Sequence, residues 1–367
     1  MQKIAVFSNM YPSGQHPTFG IFVKNQVELL RSQGLDVDVI AIDDPAKGKG
    51  AAAKKYGTWL LRSFVYMLKN RKRISLTHSH YAFPTGLISL MGKRIWKLPY
   101  VITVHGGDID KMAAKGGKIA SMTASILQNA EAVIVVGERL KQDVIQTFGV
   151  QEQRVHVMSM GVDTTVFKPY PKEETRMELD IPAQEKVVLY VGNLIEAKGL
   201  LELVEAFKLV KQDNPDASLY LIGSSKDEGF MEKLAKHVLE HGVKVVQQMP
   251  KPQKEIARWM AASDVFVLPS HHEGFGLVVL EAMATRTKVV GTDVGGLSYL
   301  LADQAGIAVE PKNADSLADG IRKALNGESV LNREMIQLKV ESNSFESISK
   351  RLLSIYRSIE EKAGLGE

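Results

Sequence analysis

"DVFVLPSHHEGFGLVVLEAM", Asp264 to Met283, reads as a strand, a glycine-bearing turn and a helix. "DVFVLPS" has the short, continuously apolar character of a strand covered on both faces. Two carboxylates, Glu273 and Glu281, bracket Gly274, Phe275, Gly276 and an apolar run. If the helix starts near Gly276 or Leu277, Glu273 lies in the loop and Glu281 in the helix. If both lie on one helix, they share a face about 12 Å apart at 1.5 Å per residue. The two glycines argue against that second arrangement, because each costs up to about 1 kcal/mol in a helix interior.

The same rhythm runs outward in both directions. "KIAVFSN", "DVDVIAI", "SLTHSHY", "YVITVHG", "EAVIVVG" and "RVHVMSM" read as strands of the first half. "KVVLYVG", "SLYLIG", "VKVVQQM", "DVFVLPS", "KVVGT" and "GIAVE" read as strands of the second. Helical stretches such as "FVKNQVELLRSQG" and "LLELVEAFKLVKQ" separate most of them. That alternation predicts α/β architecture with parallel, doubly wound sheets. Residues 161–186 break it with three prolines and many charges, so the domain boundary is expected there. The expected plan is two Rossmann-like parallel-sheet domains, 1–165 and 182–342, facing a cleft. A C-terminal helix over 343–367 is expected to return to the first domain. Ligands of such sheets gather at the carboxyl ends of the strands.

Composition excludes several classes. At 367 residues, 45% apolar and 24% charged, this is an ordinary globular chain of about two domains. It has no cysteine, hence no disulfide framework and no thiolate metal site. The N-terminus "MQKIAVFSN" enters a strand without a signal-peptide pattern. No apolar run approaches the roughly 18 residues of a membrane span. The expectation is a cytoplasmic protein. Charge is uneven: residues 1–170 hold 22 basic and 12 acidic residues, the remainder 24 and 30. The first half therefore favours anionic surroundings.

In the loop arrangement, the amides of Gly274, Phe275, Gly276 and Leu277 stand at a helix entrance. Glycine lets a ligand approach the backbone, and free N–H groups with the helix dipole attract phosphate. Carboxylates beside a phosphate site have another use, since an ionised carboxylate accepts two vicinal hydroxyls side by side. The segment thus suits a nucleotide sugar: amides on phosphate, Glu281 on a ribose diol, Glu273 on sugar hydroxyls. The competing reading is a βα turn with two solvated glutamates.

Other residues admit a site reading and a plainer one. Lys198 follows a strand and precedes a helix beside Gly199, where anions bind; the alternative is a surface lysine. His105 ends a strand before "GGDID", as a site residue or a hydrogen-bonded turn histidine. Asp108 is a candidate contact for an acceptor hydroxyl. "DID", Asp108 to Asp110, also fits an Asp-x-Asp metal element, but "DVD" at 36–38 repeats it by chance. His78 and His80 share one strand face. With His105 they could hold a metal, although a strand end beside the cleft is the simpler reading. His271 and His272 point apart. No metal is expected. Tyr56, Trp59, Leu60, Phe64 and Leu68 recur at roughly helical spacing in a stretch ending in Lys and Arg. Either this helix only covers the sheet or its basic end meets anionic lipid. No nucleic-acid module, nucleophilic triad, Walker loop or GxGxxG turn is present.

"EGFGLVVLEAMA", with its Glu-x7-Glu spacing, resembles the signature of family 4 retaining glycosyltransferases of GT-B fold. "VGNLIEAKGL", "YVITVHGGDI" and "VMSMGVDTTVF" resemble further motifs of that family, in the right order. "SNMYPSGQHPTFGIFVKNQV" is similar to the opening loop of members that build bacterial surface polysaccharides, teichuronic-acid-type enzymes among them. The resemblance implies Glu273 on the donor sugar, Glu281 on the ribose, and Gly274, Phe275 and Gly276 as backbone contacts. It implies Lys198 on the diphosphate, His105 beside the transferred sugar, and Gly20 as a close-approach point for phosphate. Asn193 stands where many members have an arginine, so it can donate a hydrogen bond but adds no charge. The implied reaction is metal-free transfer from a nucleotide-diphosphate sugar, a UDP-sugar ahead of a GDP-sugar, with no further cofactor. The implied acceptor is a saccharide or lipid-linked hydroxyl at the inner face of the cell membrane, the protein being peripheral there. The alternatives are a GT-B-fold sugar-nucleotide epimerase and a non-catalytic nucleotide-sugar sensor.

Overall fold

The computed structural model describes residues 3–16, 19–44, 49–107, 109, 116–225, 227–328 and 330–364. Its contacts divide the chain into Met1–Met160 with Phe345–Glu367, and Gly161–Ser344.

In the first unit, β1 (Lys3–Ser8), β2 (Val37–Ala41), β3 (Ile74–His80), β4 (Tyr100–Val104), β5 (Ala132–Val135) and β6 (Val155–Val157) form one sheet. Its order is β2-β1-β3-β4-β5-β6, and every neighbouring pair is parallel. Parallel neighbours require crossovers, which helices provide. Burial on both faces explains the unbroken apolar runs: Ile4 to Phe7 and Tyr100 to Ile102 are essentially inaccessible.

The helix Phe345–Lys362 belongs to this unit. Ile348, Leu352, Tyr356 and Ile359 form one stripe that joins Ile4, Val6, Val27 and Leu76 in a single core. Four such side chains contribute about 2 kcal/mol each of gross burial energy. The seam is also specified by polar pairs: Tyr356 OH with His78 Nδ1 at 2.5 Å, and Ser75 Oγ donating to Glu360 Oε1 at 2.7 Å.

The helix Lys49–Asn70 differs from expectation in its inward face. Trp59, Ser63 and Met67 are buried, whereas Leu68 is 43% exposed. Phe64 is only half-buried and meets Trp96 of the helix Gly86–Trp96, with ring centroids 5.6 Å apart. A one-residue offset turns a helix by about 100°, enough to exchange inner for outer positions.

The second unit carries β7 (Lys186–Val191), β8 (Ala217–Ile222), β9 (Val245–Gln248), β10 (Val265–Leu268), β11 (Lys288–Thr292) and β12 (Ile307–Val309). This sheet is also parallel, in the order β12-β11-β10-β7-β8-β9. Chain order reverses between β7 and β10. In a parallel sheet such a switch in strand order is where a ligand crevice is expected, at the carboxyl ends of the two strands.

Residues 161–186 pack with this unit. Their helix Lys172–Glu178 is anchored by Arg176, which donates to Ala262 O and Ala183 O at 2.9 Å and to Asp264 at 2.7 Å. Burial pushes the Asp264 carboxyl up. Hydrogen bonds from Lys172 and the Val187 N–H, with the Lys172 and Arg176 charges, outweigh that and hold it below its ordinary value.

Candidate functional site

The β10 loop runs from Pro269 to Gly276, and the helix Leu277–Ala284 follows. Glu273 therefore lies in the loop and Glu281 in the helix. Gly276 stands at the helix entrance with φ 90°, and a Cβ there would come within 2.4 Å of Leu297 Cδ2. Only glycine fits that backbone without strain. No side chain caps the first turn, and Val279 and Leu280 N–H donate to Gly276 O. The N–H groups of Leu277 and Val278, both cavity-lining residues, are the candidate anion donors.

The β7 loop passes Gly192 and Asn193, makes a 3-10 turn at Glu196–Lys198, and starts the helix Leu200–Asp213. The two loops are packed backbone to backbone. His271 N donates to Ala197 O at 3.0 Å. A Cβ on Gly199, whose φ is 67°, would lie 2.0 Å from Pro269 O. This contact brings Lys198 and Glu273 together, with Nζ 2.6 Å from Oε2. Ser270 Oγ donates to the same oxygen at 3.3 Å. A second pair lies behind, with His271 Nε2 2.9 Å from Glu202 Oε1.

A cavity of ≈ 320 Å³ opens at this switch point, lined by Tyr190, Val191, Gly192, Asn193, Lys198, Leu268, Glu273, Gly276, Leu277 and Val278. It therefore holds Lys198, Asn193, Glu273, Gly276 and Leu277 from the expected set. Asn193 is exposed, and its carbonyl accepts the Tyr190 hydroxyl at 2.8 Å. Burial, with the Glu273 charge, raises Tyr190 above its ordinary range, so it is a neutral donor. Phe275 is buried with its ring 6.4 Å from Tyr299, which leaves its backbone for any ligand. Gly274 is exposed. Glu281 is partly exposed, one turn further along the helix and outside that lining. Burial alone pushes its carboxyl up to about 8.

Sequence reasoning missed four contributors. Tyr190 and Ser270 position Asn193 and Glu273. Gly295, with φ 53°, would place a Cβ 2.0 Å from Glu273 O, and a Cβ on Gly296 would lie 2.4 Å from Phe275 Cα. The adjacent glycines in "TDVGGL" after β11 were the available signal.

The remaining candidates lie in the first unit. His105 directly follows β4; its Nε2 is 3.2 Å from His80 Nδ1, and its ring lies between Phe22 and Tyr81 at 4.8 and 4.6 Å. Burial, with His80 beside it, holds His105 well below the usual imidazole range. Burial likewise takes His80 down to about 3. His78 uses both nitrogens, on Tyr356 OH and on Thr103 Oγ1 at 2.7 Å. That consumes the lone pair a metal would need, so His78 is structural. Gly20, with φ 71°, packs against Met10, where a Cβ would come within 2.7 Å of the carbonyl. Loop packing alone thus requires that glycine. Asp108 and Asp110 lie outside the described residues.

Residues 20–166 match the family described as Glycosyltransferase Family 4, and residues 171–339 match Glycosyl transferases group 1. The chain is 29% identical over 365 aligned residues to TuaC of Bacillus subtilis (strain 168), a glycosyltransferase assigned to teichuronic acid biosynthesis, with 88% of each chain covered. It is 28% identical over 396 aligned residues to the alpha-maltose-1-phosphate synthase of Mycolicibacterium smegmatis, covering 97% of this chain and 99% of the relative. Sucrose-phosphate synthase from Thermosynechococcus elongatus shares the fold with TM-score 0.81 and 22% identity over 98% of this chain and 99% of that one. Anabaena Alr3699/HepE, crystallised with UDP and glucose, does so with TM-score 0.75 and 17% identity over 98% and 100%.

Proposed function

Because the chain belongs to the family 4 glycosyltransferases, we propose that it moves a sugar from a nucleotide-diphosphate sugar to a hydroxyl acceptor, with retention at the anomeric carbon. The observation that carries this reading is the β7/β10 cavity, where a lysine, a carboxylate and an uncapped helix entrance converge. A diphosphate entering it would take over Lys198 from Glu273 and lie against the first-turn amides. Glu273, released, would accept hydroxyls of the donor sugar. Glu281, whose carboxyl burial raises to about 8, would ionise on accepting the ribose diol, because hydrogen bonds to the charged form favour it.

The demanding events are departure of the diphosphate and formation of a cationic sugar ring. Lys198, the amides and an Asn193 hydrogen bond would stabilise the departing charge without reorganising. Glu273 would orient the sugar, which contributes proximity rather than covalency. Attack from the leaving-group face, with a donor phosphate oxygen taking the acceptor proton, needs no protein nucleophile. His105 would act as a neutral hydrogen-bonding group.

We assign the acceptor to cell-surface polysaccharide or glycoconjugate synthesis, where acceptors are saccharide or lipid-linked. No helix among the described residues is long and apolar enough to cross a membrane. The support for a peripheral lipid contact is the outer face of the helices Lys49–Asn70 and Gly86–Trp96. Leu61, Val65, Leu68 and Ile95 are exposed there at 65%, 38%, 43% and 52%. Exposed Arg62, Lys69, Arg94 and Lys97 lie among them. Apolar insertion and attraction to anionic headgroups reinforce one another on such a face.

A panel of UDP- and GDP-sugars, screened by thermal shift and then by turnover with hydroxyl acceptors, tests the reading. A donor that raises the melting temperature and then transfers its sugar supports it. Epimer formation from donor alone would establish the epimerase instead, and donor binding without turnover of any acceptor would establish the sensor.

A further inference from the structure

A second polar cluster lies in the same unit, away from the cavity lining. Glu205 projects from the helix Leu200–Asp213, and His237 and His241 from the helix Glu228–His241. One oxygen and two ring nitrogens from these residues lie within 4.8 Å of one another, and all three side chains are half-buried. Among the described residues no other group of His, Asp and Glu meets that spacing.

The arrangement has the features of a metal site. His237 and His241 are four residues apart, so both imidazoles stand on one helix face, with ring centroids 4.2 Å apart. His241 Nδ1 faces His237 O at 2.9 Å. That bond places the proton on Nδ1 and leaves the Nε2 lone pair outward, the tautomer a metal-binding histidine requires. His237 Nε2 is 3.0 Å from Glu205 Oε1, yet at an angle that makes no hydrogen bond. A buried nitrogen beside a carboxylate, with neither angled for a proton between them, is better matched to an ion shared by both. Zinc bound tetrahedrally at about 2.0–2.2 Å keeps its ligand atoms roughly 3.3–3.5 Å apart. The His237–Glu205 edge already has nearly that length, so a small rotation of His241 completes the set.

We propose that Glu205, His237 and His241 bind one divalent transition-metal ion of the zinc type. Two imidazoles and a carboxylate suit zinc, and a fourth position remains for water. The ion would cross-link two adjacent helices. The first of these begins at Gly199, next to Lys198, so the clamp steadies the element that carries the cavity lysine. This is a structural role, separate from sugar transfer and independent of the reading above.

The test uses the full chain stripped of metal by chelator. ZnCl2 is titrated by calorimetry and by thermal shift, and CoCl2 by visible absorption. The expected result is one ion per chain, a melting temperature raised by a few degrees at about 100 µM zinc, and a cobalt d–d band of tetrahedral or five-coordinate type. His241→Ala and His237→Ala should each weaken zinc binding at least 10-fold, comparable to or beyond the loss of a supporting partner. Glu205→Gln, which preserves shape, should weaken it less while shifting the cobalt band. All three variants should melt within about 2 °C of the metal-free parent, because half-buried surface positions tolerate substitution. Absence of zinc binding at that concentration would overturn the proposal. So would unchanged binding in the His237→Ala/His241→Ala double variant, which would place zinc on other histidines.

Discussion

The two sheets have the same parallel construction but opposite electrostatics at their carboxyl ends. After β7 and β10, Lys198 and Glu273 meet at 2.6 Å beside an uncapped helix. At the ends of β3 and β4, among the described residues, His80 and His105 are imidazoles that burial keeps uncharged. The first arrangement is the one proposed above to receive an anion and its hydroxyls. The second presents hydrogen bonds and aromatic faces without charge. The same parallel construction therefore carries a lysine–carboxylate pair at one sheet and buried neutral imidazoles at the other.

Five substitutions can break or sharpen this contrast. Glu273→Ala should have the largest effect, abolishing turnover while only weakening donor binding, read by steady-state kinetics beside calorimetry. Lys198→Ala should lower kcat by about 10²–10³, the cost of removing one preorganised charge donor. Retention of full kcat in Lys198→Ala would erase the charged half of the contrast. On the neutral side, His105→Ala should lower kcat by roughly 10–100-fold, as for one hydrogen-bonding group. Because His105 titrates well below the usual range, the wild-type pH–rate profile should show no inflection near pH 6.5 that disappears in this variant. Finding one would mean that His105 carries charge in the working enzyme.

Gly295→Ala probes the backbone that holds the charged end in place. The new Cβ would meet Glu273 O at 2.0 Å on a residue of positive φ. Strain and overpacking together should cost about 2–4 kcal/mol and lower the melting temperature by roughly 5–10 °C. Glu281→Gln should be the mildest and depends on pH. Burial raises the folded carboxyl to about 8 from an ordinary 4.5. Below pH 4.5 both states are protonated and the carboxyl adds no penalty; between 4.5 and 8 the unfolded chain ionises first and folded stability falls, levelling off above 8. The variant should therefore melt with wild type near pH 4.5 and a few degrees above it at pH 9.

Much of this was legible in the sequence. Most of the twelve strands fall on apolar runs, because parallel strands buried on both faces leave little room for polar residues. β3, with Ser75, Thr77, His78, Ser79 and His80 buried, and the edge strand β9, ending in Gln247 and Gln248, depart from that pattern. Glu273 in a loop and Glu281 in a helix followed from the cost of Gly274 and Gly276 inside a helix. Contacts between loops distant in the chain were not legible. The adjacent glycines Gly295 and Gly296 signal a tight turn, but not that it packs against Glu273 and Phe275. The prolines after residue 160 signalled a break, but not that Arg176 would reach Asp264, 88 positions away. Of the row Tyr56, Trp59, Leu60, Phe64 and Leu68, Trp59 is in the core with Tyr56 and Leu60 packed against it, whereas Leu68 is 43% exposed and Met67 takes the inward place. His237 and His241 gave a signal in their four-residue spacing, but their third partner lies on another helix.

The most direct measurement is a crystal structure of the chain soaked with the nucleotide sugar that stabilises it most. We predict the diphosphate within hydrogen-bonding distance of Lys198 Nζ and the amides after Gly276, with Glu273 turned onto the sugar hydroxyls. Density bound elsewhere, with the Lys198–Glu273 pair intact at 2.6 Å, would contradict the account.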